Sequence, residues 1–563
     1  MWSLGLFGLL GLVGVLGAFS GNSAEATLTW GRAITVPGTA TLNRGGEAGV
    51  GPVSCATAGN CVAGGTYNDG HGHDQAFVVD QTNGSWSNAI EVPGTATLNS
   101  GGYAEVNSVS CAAAGDCTAG GVYIDGSNHA QAFVVDETNG SWGTAIEAPG
   151  TATLNSAGSA AVESVSCATA GNCVAGGLYA DAADHAQAFV VEETDGSWGT
   201  AIEVPGTATL NSGDYAYVNS VSCATSGNCA AVGAYLHGSD RQAFVIDETD
   251  GSWGTAIEVP GTATLNSGGN TQANSVSCAA AGNCTAGGYY TDGSGHYQAF
   301  VVDETNGSWG TAIEVPGTAA LNTGGAEFVV SVSCGAAGTC AAGGFYDDGD
   351  RDQPFVVDET NGSWGTAIEV PGAATLYSGG VAEVNSVSCA AAGDCTAGGE
   401  YDDASENAQA FVAAETNGSW GTAIKVPGSG SYAVVNSISC AAADVCLAGG
   451  YYASRGRGQA FVASSGTRAL TVPSAPHLKS AVPGNKKIKA TWSKPTDGGG
   501  VPIAGYRATA KAGSQVFTCS TKSTLSCTIA GLKDGTTYTV TAVATNTVGR
   551  SPLSNSKRTR PRT

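Results

Sequence analysis

The sequence is short of charge, of methionine and of long apolar runs. Asp, Glu, Lys and Arg make up 12% of its 563 residues and methionine occurs once, where soluble domains usually carry about 25% charge. With leucine also sparse, a helical bundle is disfavoured. Beyond the N-terminal segment no stretch is long and apolar enough to span a bilayer. Basic residues are the scarcest charged class, 22 against 47 acidic, for a net charge of −25. What is abundant is glycine, 85 residues, together with 18 cysteines. The hydrophobic share of 42% argues against disorder. Glycine without a strict G-x-y period excludes collagen. An all-β protein with many tight turns remains.

Even-numbered, regularly spaced cysteines point to an oxidising compartment, hence to a secreted, extracellular location. Trp2 to Phe19 is apolar and is followed by Ala24-Glu25-Ala26, the small-residue pattern of a secretory signal cut after residue 26. No Lys or Arg precedes the apolar run, so retention as an anchor is the competing reading. After cleavage no membrane partner is expected.

Eight copies of one unit occupy residues 27–474. Each holds a C-x5-C pair: Cys55/Cys61, Cys111/Cys117, Cys167/Cys173, Cys223/Cys229, Cys278/Cys284, Cys334/Cys340, Cys389/Cys395 and Cys440/Cys446. First cysteines recur every 55 or 56 residues, with a last step of 51. Such self-similarity is the strongest signal in the chain. Within a unit four strands are expected: Ala104 to Cys111, Cys117 to Tyr123, Gln131 to Thr138 and Ser141 to Pro149. In the last, Trp142, Thr144 and Ile146 alternate onto one face. Asn139-Gly140 is a type I′ hairpin signal. Cysteines at the mouth of a five-residue loop predict a bridge within each unit, contributing roughly 2 kcal/mol. C-x5-C with no His at fixed distance is a poor zinc site.

Three hairpin-linked strands, a fourth and a long connector are the wiring of a β-propeller blade, so eight units predict an eight-bladed β-propeller. The outer-strand motif occurs nine times. Residues 28–36 are expected to close the ring by pairing into the last blade, with 468–473 as the competing candidate. The S-V-S-C-x5-C-x-A-x-G unit resembles the propeller repeats of secreted actinobacterial proteins, which imply no agreed activity.

From residue 475 to 563 the composition changes. Pro476, Trp492-Ser493-Lys494-Pro495, the stretch around Tyr506, Gly531-Leu532, Gly535 to Tyr538 and Ser551-Pro552 resemble a fibronectin type III domain. That implies a seven-stranded, immunoglobulin-like sandwich with Trp492 and Tyr538 in its core. Cys519 and Cys527 read as a local disulfide across neighbouring strands. The segment carries 14 Lys and Arg against Asp497 and Asp534, a formal +12, which leaves −37 for the rest of the −25 total. A basic module beside an acidic one suits docking between them or an anionic wall polymer. Nucleic acid is disfavoured, because no aromatic stacking pattern interleaves the lysines.

Variable polar loops between the second and third strands are the expected binding face, since binding concentrates in loops on a rigid scaffold. One loop position, two before a recurrent Gln, reads His73, His129, His185, Asp240, His296, Arg351, Asn407 and Arg457 around the units. Asp347, Asp348, Asp350 and Asp352 are candidate Ca²⁺ ligands, although an EF-hand's length and closing Glu are missing. No other metal or cofactor is expected, and no G-x-S-x-G, H-E-x-x-H or P-loop is present. The sequence therefore predicts a monomeric adhesion or binding protein for a glycan or anionic cell-wall polymer. The competing readings are a glycosidase-like enzyme using Asp347, Asp348, Asp402 and Asp403, and a structural surface protein without a small ligand.

Overall fold

The computed structural model describes residues 29–376, 380–466, 472–495, 503–546 and 549–562. The expected signal segment, residues 1–26, and residues 468–471 of the competing outer strand, 468–473, lie outside them.

Residues 30 to 465 form eight sheets, one for each cysteine pair. In the second, Ala104–Ala113 pairs antiparallel with Asp116–Ile124, which pairs with Ala130–Thr138. Asn139 and Gly140, at φ 51° and 77°, turn the chain back, as a type I′ turn requires. The fourth strand is broken: Ser141–Trp142 and Ile146–Glu147 each pair with the third strand. Between them Gly143 N bonds Asp136 O at 2.8 Å and Ala145 N bonds Pro93 O of the preceding unit at 2.7 Å. Ala145 is consequently buried while Ile146 is exposed, the reverse of the expected alternation of Trp142, Thr144 and Ile146. The connector is a single helical turn, Thr151–Leu154. Asn155 after it donates to Gln131 Oε1 at 2.9 Å and accepts from Ser159 N at 2.7 Å.

The eight-bladed β-propeller expected from the repeat count is corrected. Among the described residues the hydrogen-bonded ladder is divided into ten separate sheets of three to five strands, and no sheet closes or curls on itself. The continuous fourth strand on which that expectation rested is replaced by two-residue pieces, because residues 143–145 leave the ladder and Ala145 bonds the preceding unit.

The five-residue loop expected between the cysteines is corrected as well. In the second unit both strands run on past the bridge to Ala113 and Asp116, which pair beyond a bulge. Only Ala114-Gly115 is left to turn the chain, with Gly115 at φ 79°. The bridge therefore sits inside the ladder and not at a loop mouth. Its second cysteine lies on the central strand of the sheet and is buried in every unit: Cys61, Cys117, Cys173, Cys229, Cys284, Cys340, Cys395 and Cys446. The first cysteines, on the flanking strand, are half-buried. A neighbouring sheet covers the second one. The sulfurs of Cys173, Cys340 and Cys446 stand 3.4, 3.2 and 3.3 Å from the hydroxyls of Thr118, Thr285 and Thr396 in the preceding unit.

Side chains join consecutive sheets. Ser108 and Ser110 hydroxyls accept from the backbone N–H of Val165 and Cys167 in the next unit, both at 2.9 Å. The same serines in the eighth unit, Ser437 and Ser439, accept from Val53 and Cys55 of the first at 3.2 and 2.9 Å. Ile34–Thr35 also adds to the edge of the eighth sheet opposite Val462 and Phe461. The last sheet thus packs on the first. The S-V-S motif is an intersheet clasp as much as a strand.

Two adjacent glycines permit this packing. A Cβ on Gly120 would stand 2.5 Å from Val162 Cγ1 of the next sheet, and one on Gly121 would stand 2.0 Å from Glu105 O of its own. The fourth unit departs from this rule, with Val232 in the place of the first glycine. It faces the fifth unit, the one that has Ala273 where the others have valine, and both are fully buried in one cluster. Volume removed on one side is restored on the other.

The C-terminal segment has a three-stranded sheet, His477–Gly484, Lys487–Ser493 and Ser526–Ala530. Facing it is a four-stranded one, Gln515–Thr521, Gly505–Ala512, Tyr538–Thr545 and Lys557–Thr559. Trp492, Tyr506, Ile529 and Tyr538 share one core. The Tyr538 hydroxyl accepts from Lys533 N at 3.0 Å. Cys519 and Cys527 join strands of the two different sheets.

Candidate functional site

Each unit has a disulfide end and a loop end. At the loop end an aspartate shapes the loop. Asp125 Oδ1 accepts from Ser127 N and His129 N at 2.8 and 2.9 Å, and its Oδ2 from Gln131 Nε2 at 3.1 Å. The His129 N–H bond outweighs desolvation and holds this carboxyl below its ordinary range. Asp348 bonds the backbone of Asp350 and Arg351 and the Gln353 side chain. Asp347 accepts from Gly349 N, Asp402 from Val381 N and Asp403 from Ser405 N. These carboxylates are engaged by their own loops. Among the described residues no three His, Cys, Asp or Glu side chains converge on a common metal position, and Asp350 and Asp352 add none.

The loop position before the recurrent Gln contacts the next unit's connector. A Cβ on Gly102, Gly158 or Gly325 would stand 2.8, 2.5 and 2.7 Å from the rings of His73, His129 and His296. Asp240 lies likewise on Gly269, and Arg457 of the eighth unit on Gly46 of the first. His185 Nδ1 stands 3.5 Å from Asp214 Oδ1. Asn407 bonds Asp403, and Arg351 N bonds Asp348. Six of the eight residues mark intersheet seams, while Arg351 and Asn407 bond their own loops.

A non-repeating group of aromatics lies beside these loops. Tyr217 and Phe328 occupy the second residue of the first strand, where other units have Gly49, Ala161, Glu105, Gln272 or Glu383. Phe328 packs on Phe345, Tyr289 and Tyr297 with ring centroids 4.9, 4.8 and 5.2 Å apart. Tyr217 packs on Tyr215 at 5.1 Å. Its hydroxyl donates to Gln272 Oε1 at 2.6 Å, an oxygen shared with the Tyr289 hydroxyl at 3.4 Å. Arg241 Nη1 donates to the Tyr289 hydroxyl at 3.2 Å. Tyr215 is exposed, and Tyr217, Tyr297, Phe328 and Phe345 are half-buried. In the next unit Glu383 and Glu400 are cross-strand partners. Burial, then Glu400 and Asp352, push Glu383 up to about 7.

The disulfide end is uniform. All nine cysteine pairs are bridged, eight of them between direct cross-strand partners such as Cys111 and Cys117. Beside the bridge the third strand ends in Asp-Glu-Thr or a close variant in units one to seven, while the eighth has Ser464-Ser465 there. Adjacent strand residues face opposite ways, so the acid pair addresses both neighbouring sheets. Asp136 accepts from Trp198 Nε1 of the next unit at 2.9 Å. Glu137 turns to the preceding unit, where Trp142 donates to Asp80 at 2.9 Å. Burial, then Asp80 and Asp116, push Glu137 up to about 7. Glu193, Glu248, Glu304, Glu359 and Glu415 are raised to about 7 in the same way, by burial and then a carboxylate of the preceding unit. Gaps of about 210 to 340 Å³ open between sheets at these pairs. Sequence reasoning overlooked them, although the recurring Asp-Glu at the end of an alternating strand was the available signal.

The C-terminal sandwich is the part with recognisable relatives. Residues 472–560 match the fibronectin type III domain family. No family match covers the repeats, and no curated protein sequence matches the chain. Solved structures similar to this segment include one titled "Myokine structure", at 21% identity over 16% of this chain and 99% of that one, TM-score 0.14. The FN5 domain of Drosophila Lar is 26% identical over 16% and 97% of the two chains, TM-score 0.14. The fibronectin type-III domain of human fibronectin type III domain containing protein 3 is 21% identical over 17% and 92%, TM-score 0.15. Nine disulfides and a fibronectin type III domain fit an extracellular modular protein. Among the described residues no helix is long and apolar enough to cross a membrane.

Proposed function

We propose that this is a secreted binding protein for a glycan or cell-wall polymer, held at the loop end of units four to six, with the basic fibronectin type III module as spacer or wall-docking unit. The observation that carries this reading is the aromatic group of Tyr215, Tyr217, Tyr289, Tyr297, Phe328 and Phe345, present in three consecutive units at positions that are small or aliphatic in several others. The C–H faces of pyranose rings stack on such surfaces. Polar groups at the edge, here Arg241, Gln272, Glu383 and Glu400, can fix orientation through sugar hydroxyls. A surface spanning several units suits an extended polymer bound through many weak contacts.

The test is retention of the purified chain on insoluble peptidoglycan, chitin and cellulose. A variant combining Tyr217→Ala and Phe328→Ala is expected to lose at least tenfold in affinity while its melting temperature moves little. Failure of the natural chain to bind any matrix across a broad panel, or equal binding by the variant, would overturn the reading.

A further inference from the structure

The intersheet gaps at the disulfide end have a feature that packing does not require. Glu193, Glu248 and Glu359 are only 5%, 4% and 2% exposed. In each, Oε2 has no hydrogen-bond partner, and each carboxyl lines a gap between sheets. Across the gap stands the carboxylate of the preceding unit, Asp136, Glu192 or Asp303 respectively. A buried, unpaired carboxylate oxygen is costly unless a donor reaches it. Trp198 and Thr118 donate to the two oxygens of Asp136, and Trp364 and Thr285 to those of Asp303, but nothing similar reaches the glutamates' Oε2.

We propose that each of these gaps binds one organic cation, an ammonium or guanidinium group, between the two carboxyls. A nitrogen cation fits better than a metal ion for two reasons. It needs only a few acceptors, which two carboxyls supply, and no third acidic or imidazole ligand converges among the described residues. The volumes of about 240 to 340 Å³ admit a single lysine- or arginine-sized group. Two sources have this chemistry: a free polyamine, and the Lys and Arg side chains of the C-terminal module of a second copy, whose segment carries a formal +12.

The full chain is titrated with butylammonium and with spermidine by calorimetry at low ionic strength, with tryptophan fluorescence as a second readout. Binding of more than one amine per chain is expected. A Glu193→Gln, Glu248→Gln, Glu359→Gln variant, nearly isosteric and folded by circular dichroism, should lose at least tenfold in affinity or a matching number of sites. No amine binding, binding unchanged in the variant, or binding of Ca²⁺ in place of amines would overturn the proposal. Sedimentation distinguishes the sources. Low-salt self-association that disappears in the variant assigns the sites to a second copy, whereas amine binding by a chain that stays monomeric assigns them to free polyamines.

Discussion

The two ends of the repeated units handle carboxyl groups in opposite ways. At the loop end Asp125, Asp181, Asp292, Asp348 and Asp403 accept backbone N–H bonds that hold them below the ordinary range, although desolvation opposes the shift to varying degrees. At the disulfide end six glutamates are buried opposite another carboxyl and are pushed up to about 7. The loop aspartates hold negative charge and the disulfide-end glutamates resist it, with Glu383 beside the aromatic group, pushed up to about 7, the exception at the loop end. The sequence varies where charge is well solvated and repeats where it is not. Recurrence here marks contact between sheets, while departure from the repeat marks the aromatic group.

The contrast gives a pH dependence with two limbs. A glutamate raised in the folded state from 4.5 to about 7 favours the fold fully below 4.5 and loses that contribution as pH rises through about 7. The lowered aspartates act in reverse: their contribution is present above their ordinary range and lost as pH falls below it. The melting temperature is therefore expected to rise from pH 8 to pH 5 and to fall again below pH 4. Summed over six glutamates, this is the largest effect anticipated. The triple glutamine variant should reduce the alkaline limb, to which Glu137, Glu304 and Glu415 still contribute, and leave the acid limb in place. An equal melting temperature at pH 5 and pH 8 would break the comparison.

The next test concerns packing between sheets. Ala273→Val alone should overpack against Val232 and cost about 1–3 kcal/mol. Val232→Gly alone should leave a cavity at a cost on the order of 2 kcal/mol. Together they restore the glycine–valine arrangement of the other units, and the double variant should fall within about 1 kcal/mol of the natural chain. Denaturant unfolding of all four proteins gives the coupling energy. Additive losses would mean that the two residues do not share one cavity.

Much of this was legible in the residues. Spacing identified eight units, the disulfide partners lie in register where the C-x5-C pairs put them, and Trp492 and Tyr538 stand in the core of the sandwich. The propeller did not survive, because that expectation needed a continuous strand from Ser141 to Pro149. Ala145 instead spends its N–H on Pro93 of the neighbouring unit, a contact that no pattern within a single unit reveals. The burial of Cys173 or Cys340 was hidden in the same way, since the threonine that covers each belongs to the unit before it. The histidines show the same limit: His129 and His296 lie against glycines of the next connector, a contact that no pattern within a single unit reveals. Reading each repeat against its neighbour would have exposed both the Val232–Ala273 exchange and the paired carboxyls.

The smallest effect isolates one hydrogen bond. Trp142, Trp198, Trp309, Trp364 and Trp420 each donate to an aspartate of the preceding unit. Trp253 does not: Glu192 stands where the aspartate would be, and the buried Trp253 Nε1 has no partner. Trp→Phe removes similar ring area at either site, so the difference between sites reports the bond. Trp142→Phe should cost about 1–2 kcal/mol more than Trp253→Phe, because it leaves the Asp80 carboxylate without its buried donor. Glu192→Asp should in turn make Trp253→Phe as costly as Trp142→Phe, by supplying the aspartate found at the other sites. Equal losses at both tryptophans in the natural chain would mean that ring packing alone holds the sheets together at the disulfide end. The indole–carboxylate bonds would then serve only to keep one member of each carboxyl pair ionised.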